Sequence, residues 1–229
     1  MKNRSSRLVA VVSAVAVTAA SAVYLTSANA EPGIDAVLEN YANIAQAGFE
    51  DSLAAAQKLK SAVDKLVAQP NDANLKAARE SWKLARIPYM QTEVYRFGNK
   101  EVDDWEGKVN AWPLDEGLID YVDGSYGAEN PENALYVSNV IANKSLKIGG
   151  KTVDTTKITK VLLSDTLHEA GGVEANVATG YHAVEFLLWG QDLNGTGPGA
   201  GNRPATDFDL NNCTGGNCER RVAYLTVVT

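Results

Sequence analysis

Residues 34–69 read IDAVLENYANIAQAGFEDSLAAAQKLKSAVDKLVAQ, and this stretch decides the fold class. It is rich in alanine, leucine, lysine and glutamate, and it contains no proline. Its apolar residues recur at helical spacing, for example Val37, Leu38 and Tyr41. The pattern predicts one long helix from Ile34 to Gln69, with a break near Gly48.

A second helix is predicted from about Ala73 to Phe97, with Asn71 or Asp72 as its cap and Gly98 as its stop. Pro88 lies inside this segment. Proline has no N–H to donate to the carbonyl four residues earlier, so we expect a kink there.

Further helices are predicted at residues 131–145 and from Val173 to Trp189, with a short one inside WPLDEGLIDYVDG at residues 112–124. The sequence shows no strand pattern of any length. The predicted class is therefore all-α, and the expected architecture is a helical bundle.

The first thirty residues have the features of a secretory signal peptide. Three basic residues precede the apolar run LVAVVSAVAVTAASAVYL, and Ala28-Asn29-Ala30 then provides a small-residue cleavage site. A membrane anchor is the alternative, because the run is nearly long enough to span a bilayer. Its alanine and serine content makes it only weakly apolar, so we expect residues 1–30 to be removed and residues 31–229 to form one helical domain.

The charge of the exported part excludes one class of partner. Lys2, Arg4 and Arg7 are the basic residues of the first thirty, which contain no acidic residue. Removing them from 21 basic residues leaves 18 against 28 acidic ones, a net charge of −10. Such a surface repels phosphate backbones, so we expect no nucleic-acid partner.

The two cysteines, Cys213 and Cys218, lie close together in the chain. A small disulfide loop is expected in an exported protein, and Gly215 and Gly216 allow the tight bend that it requires. A metal-binding pair is the alternative. The spacing is wider than C-x-x-C and there is no second pair, so the disulfide is favoured.

One of the two histidines lies in GYHAVEFLLWG, residues 180–190. Positions i and i+3 share a face of a helix, so His182 and Glu185 are predicted neighbours. Iron sites in bundle cores use such pairs, with carboxylates from other helices. The alternatives are a satisfied core histidine and a glutamate that holds a helix end by hydrogen bonds.

Polar and aromatic residues also form a stripe on the second helix. Trp82, Arg86, Tyr89 and Glu93 follow the spacing i, i+4, i+7 and i+11. Buried charges need partners, so we expect Arg86 and Glu93 to meet the His182–Glu185 pair. Glu93 would be a third metal ligand, and Arg86 and Tyr89 would support the site. A structural Arg–Glu pair between helices is the alternative.

Asp115 and Glu116 form a third candidate set. Adjacent residues on a helix point about 100° apart, so only one of the two would face a given site. Asp115 is taken as the supporting residue. A role as helix N-cap is the alternative for this aspartate.

Known peptidase motifs are incomplete in this chain. His168-Glu169 would need a second histidine at position 172, which is Gly172, and the inverted zinc motif would need one at position 186, which is Phe186. No G-x-S-x-G sequence is present. The scarcity of histidine argues against a self-sufficient catalytic zinc site.

Several stretches resemble the imelysin family of bacterial exported proteins. They are RIPYMQTE at residues 86–93, WPLDE at 112–116, and GGVEANVATGYHAVE at 171–185, which contains G-x-H-x-x-E as Gly180, His182 and Glu185. The resemblance implies two packed helical bundles with a site near their junction, a link to iron acquisition, and a place among peptidases. By that resemblance the chain contains the first bundle and the start of the second, and is incomplete at its C-terminal end.

The resulting hypothesis is an exported protein, periplasmic or at the outer-membrane surface, that binds a divalent metal ion or a metal complex at His182, Glu185 and Glu93. Such ligands suit iron or zinc about equally. The resemblance also implies a membrane-associated iron-uptake partner. One alternative is a metal-dependent peptidase with His182 and Glu185 as candidate catalytic residues and Glu185 or Glu93 as the base. The other is a scaffold whose polar cluster is purely structural.

Overall fold

The computed structural model describes residues 32–229. Residues 45–229 form one compact unit. Residues 32–44 belong to another unit and contain the start of the first helix. The predicted signal peptide lies outside the described residues. Between residues 32 and 229, no helix combines the length and the apolar character needed to cross a bilayer.

The first two helices follow the prediction closely. Helix α1 covers Ile34–Ala68 and buries one face through Leu59, Val63 and Leu66. It is continuous, so the break predicted near Gly48 is wrong, because strong helix formers on both sides offset the weak helix propensity of one glycine. Helix α2 covers Asp72–Thr92, and the Asn71 side chain accepts a hydrogen bond from the Asn74 N–H at 2.9 Å.

Helix α2 continues through Pro88 and tightens into a 3₁₀ turn at Glu93–Arg96. Gly98 follows with φ of 72°, a left-handed conformation that suits the predicted stop. Helix α3 covers Lys100–Val109, and the short helix α4 covers Glu116–Ile119.

Residues 131–144 are turns, bends and irregular chain, and Ser145 begins a strand, so the helix predicted over 131–145 is wrong. Asparagine side chains explain the difference, because they bond to nearby backbone and compete with helical hydrogen bonds. Asn133 Oδ1 accepts from the Leu135 N–H at 2.9 Å, and Asn139 adopts a φ of 42°. An antiparallel hairpin follows, with strands β1 (Ser145–Ile148) and β2 (Lys151–Asp154).

The segment before the central helix is irregular. A π-helix covers Leu162–Leu167 and a 3₁₀ turn covers Ala170–Gly172. Helix α5 covers Gly180–Trp189, so the predicted start at Val173 is wrong. The Asn176 side chain donates to the Ala170 carbonyl at 2.7 Å, which holds the chain in a turn where a helix was expected.

After α5 the chain forms a long loop, a 3₁₀ turn at Ala205–Phe208 and helix α6, which covers Cys218–Val228. Helix α5 is central and contacts α2, α3, α4 and α6. The core that these helices share is apolar and includes Val63, Ala85, Leu118, Ile119, Leu167, Leu187, Leu188, Phe208, Tyr224 and Leu225. The all-α helical bundle is confirmed, and the small hairpin is an addition to it.

Candidate functional site

Gly180 begins helix α5 at a point where only glycine fits. Its φ is 86°, and a Cβ there would lie 2.5 Å from the carbonyl oxygen of Val109. The end of α3 therefore lies directly against the start of α5. The Thr179 hydroxyl reinforces this contact by donating to the Lys108 carbonyl at 2.9 Å. This close contact fixes the orientation of α5 against α3, and therefore the direction in which His182 and Glu185 point.

His182 and Glu185 lie side by side on that face, as their spacing predicts. Nδ1 of His182 is 3.0 Å from Oε2 of Glu185. The histidine side chain is 17% exposed and the glutamate side chain 40%, so the pair stands at the edge of the core. The imidazole packs against Trp112, with ring centroids 4.8 Å apart. Nε2 of His182 has no hydrogen-bond partner within residues 32–229, so it is available to a ligand.

The pair opens onto a cavity of about 450 Å³, which we call the acidic pocket. Two further carboxylates line it, from Glu116 and Asp192. Its other lining residues are Trp82, Lys83, Trp112, Leu114, Phe186, Trp189, Gly190, Gly199, Ala200 and Gly201. One imidazole, three carboxylates and three indole rings therefore surround a single space.

Among the residues that line the acidic pocket, Glu116 is the one whose pKa is shifted. The pKa of its carboxyl is raised to about 7, chiefly by burial; Arg203 opposes the rise, and the charges of Asp192 and Glu185 add to it. A carboxyl with this pKa exchanges a proton at neutral pH. Perturbed groups of this kind in a cavity are typical of functional sites.

The loop after α5 forms one wall of the acidic pocket. The Arg203 N–H donates to the Trp189 carbonyl at 2.8 Å, which folds the loop back over the end of the helix. The Arg79 guanidinium from α2 donates to the carbonyls of Leu188 and Arg203, both at 2.8 Å. These bonds hold the segment that carries Asp192 next to the His182–Glu185 pair.

Arg86 and Glu93 do not line the acidic pocket, so the expected meeting with His182 and Glu185 is wrong. Arg86 Nη1 donates to Asn110 Oδ1, and Asn110 Nδ2 donates to Glu93 Oε1 at 3.2 Å. The Arg86 guanidinium also packs over the Tyr89 and Tyr181 rings, with its Cζ 5.2 Å from each centroid. Asn110 at the end of α3 thus satisfies the charges that were expected to face α5.

The two other predicted supporting residues also lie elsewhere. Asp115 occupies the N-cap position of α4 without a capping bond from its side chain, and its carboxylate accepts a hydrogen bond from Asn133 Nδ2. Tyr89 is 1% exposed, and its hydroxyl has no hydrogen-bond partner in the described chain. Burial raises the pKa of that phenol. It faces a second, mostly apolar cavity of about 520 Å³.

The ligand set proposed from the sequence is not assembled. Within residues 32–229, no three His, Cys, Asp or Glu side chains are grouped so that they could hold a metal ion. His182, Glu185 and Glu93 are therefore not a preformed three-residue site. The donors of the acidic pocket still have the right chemistry, since imidazole and carboxylate ligands suit divalent iron and zinc.

Comparison with known families decides the relationship of this chain. The family model described as imelysin, which carries a peptidase label, matches residues 45–229. The chain belongs to the imelysin family. The matched region contains every residue of the acidic pocket. The glycine of the imelysin motif G-x-H-x-x-E is thus the close-packed Gly180, and its His and Glu form the 3.0 Å pair.

A curated relative of this imelysin is iron-regulated protein A of Synechococcus elongatus (strain ATCC 33912 / PCC 7942 / FACHB-805). The two are 38% identical over 66 residues, a segment that covers 28% of this chain. The same segment covers 18% of the relative, so the match spans less than one fifth of that protein's length.

Sequence reasoning missed two carboxylates of the acidic pocket. Glu116 was considered together with Asp115, but the choice between adjacent residues depends on the phase of a helix that is only four residues long. Asp192 follows Gly190, whose φ of 71° ends α5, so no helical spacing connects it to Glu185. The available signal lay just after the helix, where Trp189 ends α5 and Asp192 follows it.

Next to the pocket, this imelysin buries a network of four charges. Arg203 donates to Asp120 at 2.7 Å and to Asp207 at 2.9 Å, and Arg221 of α6 donates to Asp120 at 2.6 Å. All four side chains are at most 2% exposed. The network ties the loop behind the pocket to the last helix.

Cys213 and Cys218 form a disulfide with a Cα–Cα distance of 5.8 Å. The loop that it closes contains Gly215, whose N–H donates to Asp207 Oδ1 at 2.7 Å. The disulfide therefore stands beside the buried charges of this imelysin.

Proposed function

We propose that this protein is an exported imelysin, linked to iron acquisition, that binds a divalent metal ion or a metal complex in the acidic pocket. His182 and Glu185 would be the first ligands. Glu116 and Asp192 would contribute carboxylate oxygens only after their side chains moved toward this pair, because no three donors are grouped for an ion in the described residues. The observation that carries the proposal is the 3.0 Å His182–Glu185 pair at the mouth of a 450 Å³ cavity with two more carboxylates.

The charge of the pocket supports a cation as ligand. Three carboxylates and one lysine line it, so its field attracts positive charge. Protonation of a carboxyl whose pKa is about 7 keeps like charges from repelling one another when no cation is bound. A bound cation would replace that proton and favour the ionised form.

Two observations support the biological setting. A relative over part of the chain is named for regulation by iron, and the proposed iron link extends that name to this protein. The pattern of residues 1–30 and the Cys213–Cys218 disulfide both suit an oxidising compartment outside the cytoplasm. We therefore propose a periplasmic or outer-membrane-surface location, with a membrane-associated uptake partner.

Metal titration of the purified chain tests this function. We expect isothermal titration calorimetry to show binding of Zn²⁺, and of Fe²⁺ without oxygen, that weakens by at least about tenfold in His182→Ala and in Glu185→Gln. Glu93→Gln is the matched control, because it removes a carboxylate outside the acidic pocket, and its affinity should equal that of the unmodified protein. Binding that is absent, or equally strong in both pocket variants, would contradict the proposal.

The peptidase alternative is favoured by one observation, the pKa of about 7 at Glu116. A base with that pKa works near neutral pH, and it would accept a proton from a water molecule in the pocket. Hydrolysis of a fluorescent casein should then increase as the pH rises through about 7 and disappear in Glu116→Gln. If the protein binds metal but does not hydrolyse casein above background, the peptidase alternative fails and the binding function stands.

A further inference from the structure

We propose that the second cavity, which we call the apolar cavity, binds a molecule with an apolar chain and an anionic head group, such as a fatty acid. Its volume of about 520 Å³ is within the range of small-molecule sites. It shares no lining residue with the acidic pocket. The proposal therefore does not depend on metal binding.

Helix α5 contributes to both cavities through different faces. Tyr181 and Val184 line the apolar cavity, whereas His182 and Glu185 line the acidic pocket. Because successive helical residues turn by about 100°, these two pairs are centred about 100° apart around the helix. The apolar cavity is therefore a separate site and not an extension of the acidic pocket.

The wall of the apolar cavity is mostly hydrocarbon. Side chains from α1, the π-helix, α5 and α6 form it, among them Leu59, Leu163, Val184 and Val228. Water inside such a space has few polar partners, so an apolar chain that displaces it gains free energy. The wall thus favours a ligand with a hydrocarbon part.

The mouth of the apolar cavity is apolar as well. Leu53 and Trp105 both line the cavity, and they are 60% and 40% exposed. The Trp105 ring packs edge to face on Phe49, with ring centroids 6.0 Å apart. Exposed apolar side chains around an opening are typical of a binding site, and here they lead an alkyl chain inward.

The charged residues of the lining decide the sign of the head group. Lys108 and Lys160 line the apolar cavity, and no Asp or Glu does so in the described part of the chain. The lysines that form ion pairs between residues 32 and 229 are Lys60, Lys83 and Lys100. The ammonium groups of the two lining lysines therefore have no carboxylate partner there, and a ligand anion would supply one.

Several acidic residues are next to lining residues in the chain but are not part of the lining. They are Glu50, Asp51, Glu106 and Asp165. Glu106 pairs with Arg96 at 3.2 Å, and Asp165 accepts a hydrogen bond from its neighbour Ser164 at 2.6 Å. A ligand inside the apolar cavity would meet the lysines and not these carboxylates.

The chain around Lys160 adds to the positive charge. Residues 144–165 contain five lysines against Asp154 and Asp165, a net charge of +3. All five lysines are exposed. Because residues 31–229 as a whole have a net charge of −10, this local excess is distinctive, and its field attracts anions toward this side of the cavity.

Four small probes separate the contribution of the chain from that of the head group. Calorimetry on the purified protein would compare decanoate, decanol, decyltrimethylammonium and butanoate. We expect decanoate to bind at least about fivefold more tightly than decanol and at least about tenfold more tightly than decyltrimethylammonium, because the lysines attract its carboxylate. Butanoate has the same head group but little chain to bury, so it should not bind measurably.

The double variant Lys108→Met/Lys160→Met removes both charges at exposed positions. We expect it to bind decanoate at least about fivefold more weakly and decanol as tightly as the unmodified protein does. Lys76→Met is the matched control, since Lys76 is an exposed lysine on α2 that does not line the apolar cavity. Its affinity for decanoate should be unchanged.

Ala56→Trp tests the location, because Ala56 lies on α1 and lines the apolar cavity. An indole there would fill part of the space, so decanoate should bind at least about tenfold more weakly. Ala54→Trp is the control on the same helix, at an exposed position outside the lining. Thermal unfolding establishes that both variants fold, and the lysine variants decide the proposal if Ala56→Trp does not.

The proposal is overturned if decanoate does not bind, or if decanol or decyltrimethylammonium binds as tightly as decanoate. It is also overturned if the double lysine variant or a folded Ala56→Trp protein binds decanoate as tightly as the unmodified protein.

Discussion

Glu116 shows how one side chain makes stability depend on pH. The ordinary pKa of its carboxyl is 4.5, and burial raises it to about 7 in the folded protein. Between these values the folded protein holds a proton that the unfolded chain has lost. The free energy of unfolding therefore falls as the pH rises through this window and stays reduced above it.

Glu116→Gln should remove this loss, because glutamine is neutral at every pH. We expect the variant to be more stable than the unmodified protein at pH 8 by on the order of 1–2 kcal/mol, a value reduced for the partial exposure of the carboxyl. At pH 5 the two proteins should be nearly equal. Urea unfolding at both pH values measures the difference. An equal difference at pH 5 and pH 8 would show that titration of Glu116 is not its cause.

At this scale the sequence predicts local pairs and little else. The contact of His182 with Glu185 follows from helical spacing alone, and it is present at 3.0 Å. The position of Glu93 depends on Asn110, a residue 17 positions away whose side chain accepts from Arg86 and donates to Glu93. No periodicity within α2 contains that information.

The position of helix α5 against α3 depends on its first residue, Gly180. Gly180→Ala would put a Cβ within 2.5 Å of the Val109 oxygen and 2.9 Å of the Lys108 oxygen, and both are backbone atoms that cannot move alone. We expect a loss of stability of about 3 kcal/mol or more. Thermal unfolding measures this loss.

Gly172→Ala is the control for Gly180→Ala, because it tests the effect of a left-handed backbone without the steric contact. Gly172 has a φ of 75°, similar to that of Gly180, but a Cβ there would meet nothing within 4 Å. Its alanine variant should lose only about 1–2 kcal/mol. Equal losses at both positions would mean that the contact between α3 and α5 has no energetic weight.

Whether an element was predictable depended on its length and its surroundings. The two long helices α1 and α2 follow from composition and capping, and their observed ends lie close to the predicted ones. The four-residue strands of the hairpin are too short to show an alternating pattern. Helix α5 starts at Gly180 because α3 packs against it there, and that contact is not local in the sequence.

At the scale of the whole molecule, the buried charge network joins the loop after α5 to α6. Asp120→Asn would remove the carboxylate that both Arg203 and Arg221 contact. Arg203 already leaves Nε and Nη2 without partners in the described chain, so after the substitution Asp207 would be the carboxylate that remains to it. We expect a loss of about 3–5 kcal/mol in urea unfolding.

An exposed ion pair provides the comparison for Asp120. Lys60 and Asp64 are 2.8 Å apart on α1 with side chains about half exposed, and Asp64→Asn should cost less than about 0.5 kcal/mol. A similar small loss for Asp120→Asn would mean that the network does not couple the loop to α6. Composition alone could not locate this network, because its members are separated by up to 101 positions in the chain.

The disulfide has a practical consequence for measuring motion in this protein. The chain has only two cysteines, and Cys213 and Cys218 use both. Phe97→Cys, at a side chain that is 98% exposed, would therefore introduce a lone reactive thiol to which a fluorophore or spin label could be attached. A label there would report on the joint between α2 and α3 without competing attachment elsewhere.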